Sequence, residues 1–296
     1  MRVGQNPEKS DPTLDMKYMH RVIIPVYIPN LDGYFQDAKK ILLLALDSLW
    51  NTLPASTAIT IINNNSCDEI VALLEDYRID KKIDCLIHNA ENNGKIDPLI
   101  AAIRASYEPI ITVADADVLF CNDWFAEALK IFNAFPAAGM ISYTPDPLKY
   151  LGFTDTTLLT AVFGGKMKKA HIGNEGNRDR FALSIGQTPE KYYAKFEKSS
   201  VLVIENKGVK AQVGSHHFAC TLRRSFLDQV PKNPSLKKIT GNSELHYIDK
   251  PVDKAGFLKL STLEDKVFHM GNVWEKWMEN ECPKEKQIAN AWIVPV

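Results

Sequence analysis

The alternation of strand-like and helix-like segments before residue 145 constrains the fold more than any other feature of the sequence. Short apolar segments rich in β-branched residues end at turn-forming residues, and each is followed by a segment with helical apolar spacing. The strand-like segments are residues 20–29, 58–66, 83–90, 108–120 and 137–145, and the helix-like segments are residues 34–52, 67–80, 94–107 and 122–136. This order is typical of βαβ units, so we predict an α/β fold with a mostly parallel central sheet and flanking helices.

The alternating pattern breaks after residue 145. Residues 146–200 are rich in Lys, Gly and Asn and only weakly periodic, so we expect a long surface loop, with helical spacing at residues 189–198. We therefore expect a single domain between a loose leader and a tail. Its parts are a leader (1–18), a first half (19–145), an insert (146–200), a second half (201–275) and a C-terminal tail (276–296).

The composition excludes several classes of protein. A hydrophobic fraction of 45% and a net charge of −1 are typical of a globular protein and give no support to nucleic acid as a partner. The five cysteines are scattered and form no C-x-x-C pair, which favours reduced intracellular thiols. The N-terminus lacks the apolar core of a signal peptide, and the run at residues 41–46 is too short to span a bilayer. We therefore expect a cytoplasmic protein.

Polar or turn-forming clusters close three of the predicted strands. Pro25-Val26-Tyr27 closes the first strand, the run Asn63–Ser66 closes the second, and Asp115-Ala116-Asp117 closes the fourth. In an open parallel α/β sheet, ligands bind outside the carboxyl ends of the strands. We therefore expect the three clusters to share one crevice.

The two aspartates suit a metal ion. Asp115 and Asp117 are two residues apart in an extended segment, so both carboxylates can point to one side. Hard divalent cations prefer carboxylate oxygen and often complete their coordination shell with phosphates of a substrate. The alternative is that both residues only form the turn after a strand. The two other clusters at the same edge favour the metal site.

Two further features concern nucleotide binding. The asparagines at 63–65 could contact the edge of a base or form a tight turn, and both interpretations stay open for each one. Lys95 follows Gly94 at a helix start, where it could contact a phosphate. The sequence contains neither a P-loop nor a G-x-G-x-x-G motif, which disfavours P-loop NTPases and dehydrogenases.

Together these segments resemble a known family. The segments that carry the resemblance are VIIPVYIPN (22–30), ITIINNNSCDE (59–69), NNGKIDPLIAAIRAS (92–106) and IITVADADVLFCNDWF (110–125). In order and spacing they resemble the amino-terminal half of family 2 glycosyltransferases, which have the GT-A fold. A weaker resemblance continues through residues 214–230, 241–256 and 267–272. It implies a Rossmann-like half that binds a nucleotide sugar and a second half that binds the acceptor.

The resemblance also implies roles for individual residues. By position in the motifs, these are Asp117, Asp115 and His269 for the metal, with Asp115 also near the ribose; Pro25, Val26 and Tyr27 for the nucleotide pocket; Asn63 and Asn64 for the base; and Glu244 for the general base. Lys95 joins them as a donor-binding residue. The cofactor would be a divalent metal ion, Mn²⁺ or Mg²⁺.

The implied reaction is transfer of a hexosyl or hexosaminyl group from a nucleotide-diphosphate sugar, with a UDP-sugar favoured, to a saccharide acceptor. A metal ion stabilises the leaving diphosphate, and a carboxylate takes the proton of the attacking hydroxyl. One base and no nucleophile imply single displacement with inversion. The resemblance further implies a role in capsule or O-antigen synthesis, with a lipid-linked acceptor and peripheral association with the inner face of the membrane.

The sequence departs from the family pattern at two positions. Glu244 stands alone where the family often has an acidic pair, and Asn64 stands where aspartate is common. These departures keep open a non-catalytic nucleotide- or carbohydrate-binding relic of the same fold. A sugar nucleotidyltransferase is a second alternative, but its Gly-rich, Arg-containing loop is missing from the segment PVYIPNLDGYF (25–35).

Two residue pairs have open roles. His216 and His217 are neighbours in a predicted strand, so at most one of them is expected to face an acceptor. Trp274 and Trp277 lie three apart on a predicted helix, where core packing is the default. A wall for a sugar ring and an interfacial membrane anchor are the alternatives for the tryptophans.

Overall fold

A computed structural model of the chain describes residues 3–10, 13–164, 167–239 and 242–286. The strands in these ranges are β1 (His20–Val26), β2 (Thr57–Asn63), β3 (Cys85–His88), β4 (Ile110–Ala114), β5 (Val118–Phe120), β6 (Ala138–Ser142), β7 (Lys168–His171), β8 (Ser200–Asn206), β9 (Val209–Val213), β10 (Ala219–Arg223), β11 (Leu258–Ser261) and β12 (Val267–His269). The α-helices are α1 (Ala38–Thr52), α2 (Asp68–Ile79), α3 (Ile96–Ala105), α4 (Trp124–Ala134), α5 (Asp155–Phe163), α6 (Glu175–Ser184), α7 (Pro189–Tyr192), α8 (Lys250–Lys254) and α9 (Lys276–Glu281).

The described strands form one large sheet and one small one. The large sheet has the strand order β3-β2-β1-β4-β10-β6-β11-β9-β8-β7, and β12 pairs with β5. Most strands of the large sheet run in one direction, and those that run the other way are β7, β9 and β10. The predicted α/β fold with a mostly parallel central sheet is confirmed. The carboxyl ends of β1, β2 and β4 lie at one edge because these strands pair in parallel.

The core lies on both faces of this sheet because the parallel strands alternate their buried side chains. Val22 and Ile24 of β1 belong to one apolar cluster, and Ile23 belongs to a second cluster with α3. Each fully buried side chain of this size contributes about 1.5–3 kcal/mol relative to an exposed one. Burial on both faces therefore anchors the strand whose carboxyl end lies at this edge.

The insert is more ordered than the sequence predicted. Residues 146–200 contain α5, α6 and β7, and the helix predicted at 189–198 is limited to the short α7. Helix α6 has no apolar periodicity that could have revealed it. Its Phe181 packs in the main core cluster, and the buried guanidinium of its Arg178 donates to the carbonyl oxygens of Ile172 (3.0 Å) and Gly173 (2.7 Å).

Three other boundaries differ from the prediction. The predicted strand 108–120 is divided into β4 and β5, and Asp115–Asp117 lies between them. Strand β9 was missed, and it follows β8 through Lys207-Gly208, which both have positive φ as a two-residue hairpin turn requires. The tail begins with α9, whose Met278 is buried against α1. The rest of the predicted tail, residues 287–296, lies outside the described residues.

No helix in the described parts of the chain is both long enough and apolar enough to cross a membrane.

His20 at the start of β1 makes the stability of the fold depend on pH. Its ring is fully buried, stacks on Phe125 at 3.9 Å, and makes hydrogen bonds with Thr57 (2.9 Å) and Thr112 (2.7 Å). Burial lowers the pKa of His20 from 6.5 to about 3. The folded protein therefore keeps this ring neutral at a pH where the unfolded chain protonates it.

We expect this histidine to make the fold less stable in mild acid. Because its folded pKa is depressed, its contribution is complete above pH 6.5 and is lost as the pH falls towards 3. From pH 7 to pH 5 the loss from this one group is about 2 kcal/mol. Urea unfolding at both pH values should show that His20→Leu, although less stable at pH 7, loses less stability on acidification than the unaltered chain. An equal loss in both proteins would contradict the assignment.

Candidate active site

The carboxyl ends of β1, β2 and β4 open into a cavity of about 570 Å³. The sequence-predicted residues that line it are Pro25, Val26, Tyr27, Asn64, Lys95, Asp115 and Asp117. Asn63, Glu244 and His269 were also predicted for the site but are not among the lining residues. The expectation that polar or turn-forming residues at three strand ends share one crevice therefore agrees with the structure.

Asp115, Asp117 and His269 form a cluster whose ligand atoms lie within 4.8 Å of one another. The two aspartates follow β4, and the pairing of β12 with β5 brings His269 to them from the second half. Backbone hydrogen bonds fix the geometry, since Asp115 N–H donates to Phe218 (2.8 Å) and Met270 N–H donates to the Asp117 carbonyl (2.8 Å). The imidazole Nε2 lies 3.6 Å from Asp117 Oδ2.

This cluster has the chemistry of a divalent cation site. Burial raises the pKa of Asp117; the nearby Asp115 carboxylate raises it as well, whereas His269 and Lys95 act in the opposite direction. A bound cation would relieve the repulsion between the carboxylates. Two carboxylates and one imidazole are suitable ligands for Mn²⁺ or Mg²⁺. The Nδ1 atom of His269 is buried and has no hydrogen-bond partner among the described residues.

Lys95 joins the two halves of the site. Its Nζ lies 2.5 Å from Asp115 Oδ1 and 3.1 Å from Glu244 Oε1. Burial alone would lower the pKa of Lys95, but the two carboxylates hold it above its usual value, so the side chain stays charged. Burial raises the pKa of Glu244, but the Lys95 ammonium, a backbone hydrogen bond and His217 together outweigh this effect and lower it. Lys95 therefore neutralises acids at the cavity wall, in addition to any contact with a phosphate.

Asn64 organises the loop beside the cavity. Its Nδ2 donates to Asn92 Oδ1 (3.0 Å) and to the Gly94 carbonyl (2.8 Å). Its Oδ1 accepts from Asn89 Nδ2 (3.1 Å) and from the Asn93 N–H (3.1 Å). The amide is thus fully engaged within the protein, and its contact with a base stays a prediction.

Asn63 has a structural role in place of the predicted contact with a base. Its side chain is buried, and its Oδ1 accepts from the Ser66 N–H (3.0 Å) while its amide nitrogen lies 2.9 Å from His88 Nδ1. These bonds form the turn after β2. The turn interpretation therefore accounts for Asn63, whereas the cavity interpretation applies to Asn64 alone.

Sequence reasoning missed an aromatic wall and a second-half contribution to the cavity. Tyr34 and Phe35 line it with Tyr27, and Tyr34 is 69% exposed although it is a large aromatic residue. The Phe35 ring lies 5.0 Å from Tyr34 and 6.3 Å from Tyr27. The missed lining residues from the second half are Lys238, Ile239, Gly271 and Asn272. The segment GYF (33–35) was a signal for the wall, since it places two aromatic residues after a loop glycine.

The histidine and tryptophan pairs have distinct environments. His216 is buried beside Asp146, whereas His217 keeps a 32% exposed side chain. Only one of the two is therefore accessible, as expected, but both lie before β10 and not in a strand, so strand alternation is not the reason. Trp274 and Trp277 pack against the core cluster of α1 and α9, which agrees with the packing interpretation.

The first half of the sequence matches the model of a known family. Residues 22–152 match the family profile described as "Glycosyl transferase family 2", and this range includes both aspartates and the aromatic wall. No curated protein is similar enough in sequence to match the chain.

Solved structures with a similar fold are known. The chain resembles GalNAc-T7 with UDP, GalNAc and Mn²⁺, at a TM-score of 0.52 and 15% identity over 86% of this chain and 43% of that one. It also resembles S. aureus TarS 1–349 in complex with UDP-GlcNAc (TM-score 0.47, 10% identity, 88% and 60% coverage). A third similar structure is the mannosyltransferase PcManGT from Pyrobaculum calidifontis with GDP-Man and Mn²⁺ (TM-score 0.42, 16% identity, 85% and 56% coverage). The chain thus spans less than two thirds of each of these proteins, and its fold is the predicted GT-A fold.

Gly94 gives a test of the loop that Asn64 holds. Its φ is +81°, and a Cβ there would collide with the carbonyl oxygen of Lys237. We expect Gly94→Ala to destabilise the protein by roughly 1–3 kcal/mol, because it combines an unfavourable backbone conformation with displacement of the loop that carries Lys238. Urea unfolding measures the effect.

The matched control is Gly173→Ala. That position lacks a positive φ, and no neighbouring heavy atom lies within 4 Å of the added Cβ. We expect its stability to change by less than about 0.5 kcal/mol or to rise slightly. Equal losses of stability at the two glycines would show that the packing of the loop on Gly94 does not contribute to the free energy of unfolding.

Proposed function

We propose that this chain is a metal-dependent glycosyltransferase that moves a sugar from a nucleotide-diphosphate sugar to a hydroxyl of a saccharide acceptor. The observation that carries the proposal is the Asp115–Asp117–His269 cluster, which meets the cavity at the strand ends of a family 2 domain. GalNAc-T7 and PcManGT, two proteins of similar fold, are described with Mn²⁺ and a nucleotide or nucleotide sugar.

The cavity suits a nucleotide sugar in size and polarity. Its volume of about 570 Å³ lies within the usual range for sites that bury a small molecule. Tyr27, Tyr34 and Phe35 offer aromatic faces, which stack on bases. Asp115 and Asp117 line the same cavity and provide its acidic part. We therefore place the base at the aromatic wall and the diphosphate near the aspartates.

Asp115, Asp117 and His269 would hold the metal ion. When bound there, Mn²⁺ or Mg²⁺ would supply positive charge to the departing diphosphate. Lys238 is a further cation at the cavity, and among the described residues no carboxylate forms an ion pair with it. Lys95, by contrast, is already shared by Asp115 and Glu244.

The transfer also needs a group that takes the proton of the acceptor hydroxyl. Glu244 was predicted for this role; it does not line the cavity itself, but it lies 3.1 Å from Lys95, which does. The ammonium holds it in the ionised form, which preserves its ability to bind a hydroxyl and reduces its basicity. A proton acceptor that acts without a covalent intermediate implies a single displacement. We therefore include inversion at the anomeric carbon in the proposed mechanism.

The finer assignments rest on the family resemblance. They are a UDP-sugar as donor, a lipid-linked saccharide as acceptor, a role in capsule or O-antigen synthesis, and a place in the cytoplasm at the inner face of the membrane. A binding protein without catalytic activity is the second candidate, because Lys95 neutralises two of the acids that catalysis would use. Turnover of a nucleotide sugar separates it from the enzyme.

Thermal unfolding in the presence of nucleotides tests the donor site. A ligand that binds only the folded state raises the unfolding midpoint by mass action. We expect UDP, or else one of GDP, dTDP and CMP, to raise the midpoint only when Mn²⁺ is present. Asp117→Asn should abolish the rise, because it removes a charged metal ligand and keeps the shape of the side chain.

Asp123→Asn is the matched control for this test. Asp123 is exposed and has a positive φ of 62°, a conformation that asparagine tolerates well. Its variant should bind nucleotide and metal as the unaltered protein does. A rise that survives in Asp117→Asn, or that needs no metal, would contradict the proposed metal site.

A further inference from the structure

The second half of the chain contains a buried ion pair close to the start of β10. The side chains of Asp249 and Lys259 are 2% and 1% exposed. Lys259 Nζ contacts Asp249 Oδ1 and donates to the carbonyl of Gly152 at 2.7 Å. Such a pair is costly to bury and adds little net stability, so its presence calls for a further role.

The second oxygen of Asp249 holds His217. The distance from Asp249 Oδ2 to His217 Nδ1 is 3.1 Å. Burial raises the pKa of Asp249, but Lys259 and His217 outweigh it and keep the carboxyl ionised. An ionised carboxylate accepts a hydrogen bond, so it selects the imidazole tautomer that carries its proton on Nδ1. The Nε2 atom is then the basic atom, and it has no hydrogen-bond partner among the described residues.

His217 lies at the edge of the sheet where the cavity opens. The next residue, Phe218, accepts the backbone N–H of Asp115 at 2.8 Å. The positive charge that the ring can carry also contributes, after that of Lys95, to the lowered pKa of the Glu244 carboxyl. Glu244 in turn contacts Lys95, which lines the cavity. His217 is not among the residues that line the cavity, but it is an oriented and partly exposed imidazole whose neighbour Phe218 contacts the backbone of the cavity residue Asp115.

The surroundings of the two candidate bases differ in a decisive way. Glu244 faces an ammonium at 3.1 Å, which opposes proton uptake. His217 faces the ionised carboxylate of Asp249, which stabilises an imidazolium once it forms. The other charged or titratable groups around the ring are Glu244 itself and His216, with Lys259 behind Asp249 and Lys95 behind Glu244.

We propose that His217 is the general base of the transfer reaction and that Asp249 is its positioning residue. The proposal rests on the glycosyltransferase function proposed above. The acceptor oxygen forms a bond to the anomeric carbon while the bond from that carbon to the diphosphate oxygen breaks. The electron pair leaves with the nucleoside diphosphate, and the hydroxyl proton moves to His217 Nε2. The imidazolium then returns this proton to solvent.

The pH dependence of turnover tests this assignment. We would measure release of nucleoside diphosphate from UDP-glucose, UDP-N-acetylglucosamine and GDP-mannose with Mn²⁺ between pH 5 and 9. Water serves as the acceptor in one series, and simple glycosides serve in a parallel series. A histidine base loses activity on acidification around pH 6 to 7, whereas a carboxylate base keeps it to about pH 4 to 5.

We expect the activity to fall near the histidine range in the unaltered protein. His217→Asn should lower the rate about 10²–10⁴-fold and remove this dependence. Asp249→Asn should lower the rate by a smaller factor and shift the acidic limb, since the base remains but loses its orienting carboxylate. Glu244→Gln should keep the limb in place. His171→Asn, on the exposed strand β7, is the control and should behave as the unaltered protein.

Nucleotide-sugar binding, measured by thermal unfolding, distinguishes a failure of the role of His217 from a failure of the glycosyltransferase function. One outcome would overturn the role of His217 alone. In it the protein binds and turns over the nucleotide sugar, but the fall of activity at low pH persists in His217→Asn or disappears in Glu244→Gln. Binding without turnover in either series would favour the binding protein and would also overturn the role of His217. Absence of both binding and turnover would overturn the glycosyltransferase function, and the role of His217 with it. Because His217 is partly exposed, we expect its variant to fold, and the unfolding curves verify this.

Discussion

The antiparallel insertion of β10 between β4 and β6 is the constraint on which the site depends. An antiparallel strand starts at the edge where its parallel neighbours end, and Ala219 of β10 pairs with Ala114 of β4. The residues just before β10 are therefore placed beside the residues just after β4. In this way strand pairing alone brings His217 and Phe218, from the second half of the chain, close to Asp115.

The lysines at this edge of the sheet neutralise only some of its carboxylates. Lys95 is shared by Asp115 and Glu244, and Lys259 is paired with Asp249. Asp117 has no lysine partner within ion-pair distance among the described residues and meets only His269. A carboxylate that is buried next to a second carboxylate is costly in free energy. The excess negative charge is thus located where the proposed metal ion would bind.

Local patterns predicted the parts of the fold that are themselves local. The ends of β1, β2 and β4 were visible because apolar strands stop at polar or turn-forming residues, and this placed Asp115 and Asp117 correctly at a cavity. Helix α6 was not visible, because two polar residues, Asn177 and Arg178, are buried on its inner face beside Phe181 and break the apolar pattern. The contact between Lys95 and Glu244 joins residues far apart in sequence, and no local spacing predicts it.

Asn64 shows how such distant contacts decide a residue type. Its Nδ2 donates to two oxygens, one on Asn92 and one on Gly94. An aspartate there would place a carboxylate against two acceptors, with no donor to join them. The loop therefore requires asparagine where the family often has aspartate. Because this amide is already used, selection of a base in the proposed function would depend on other groups in the cavity, and the aromatic wall of Tyr27, Tyr34 and Phe35 offers stacking faces that do not distinguish one base from another.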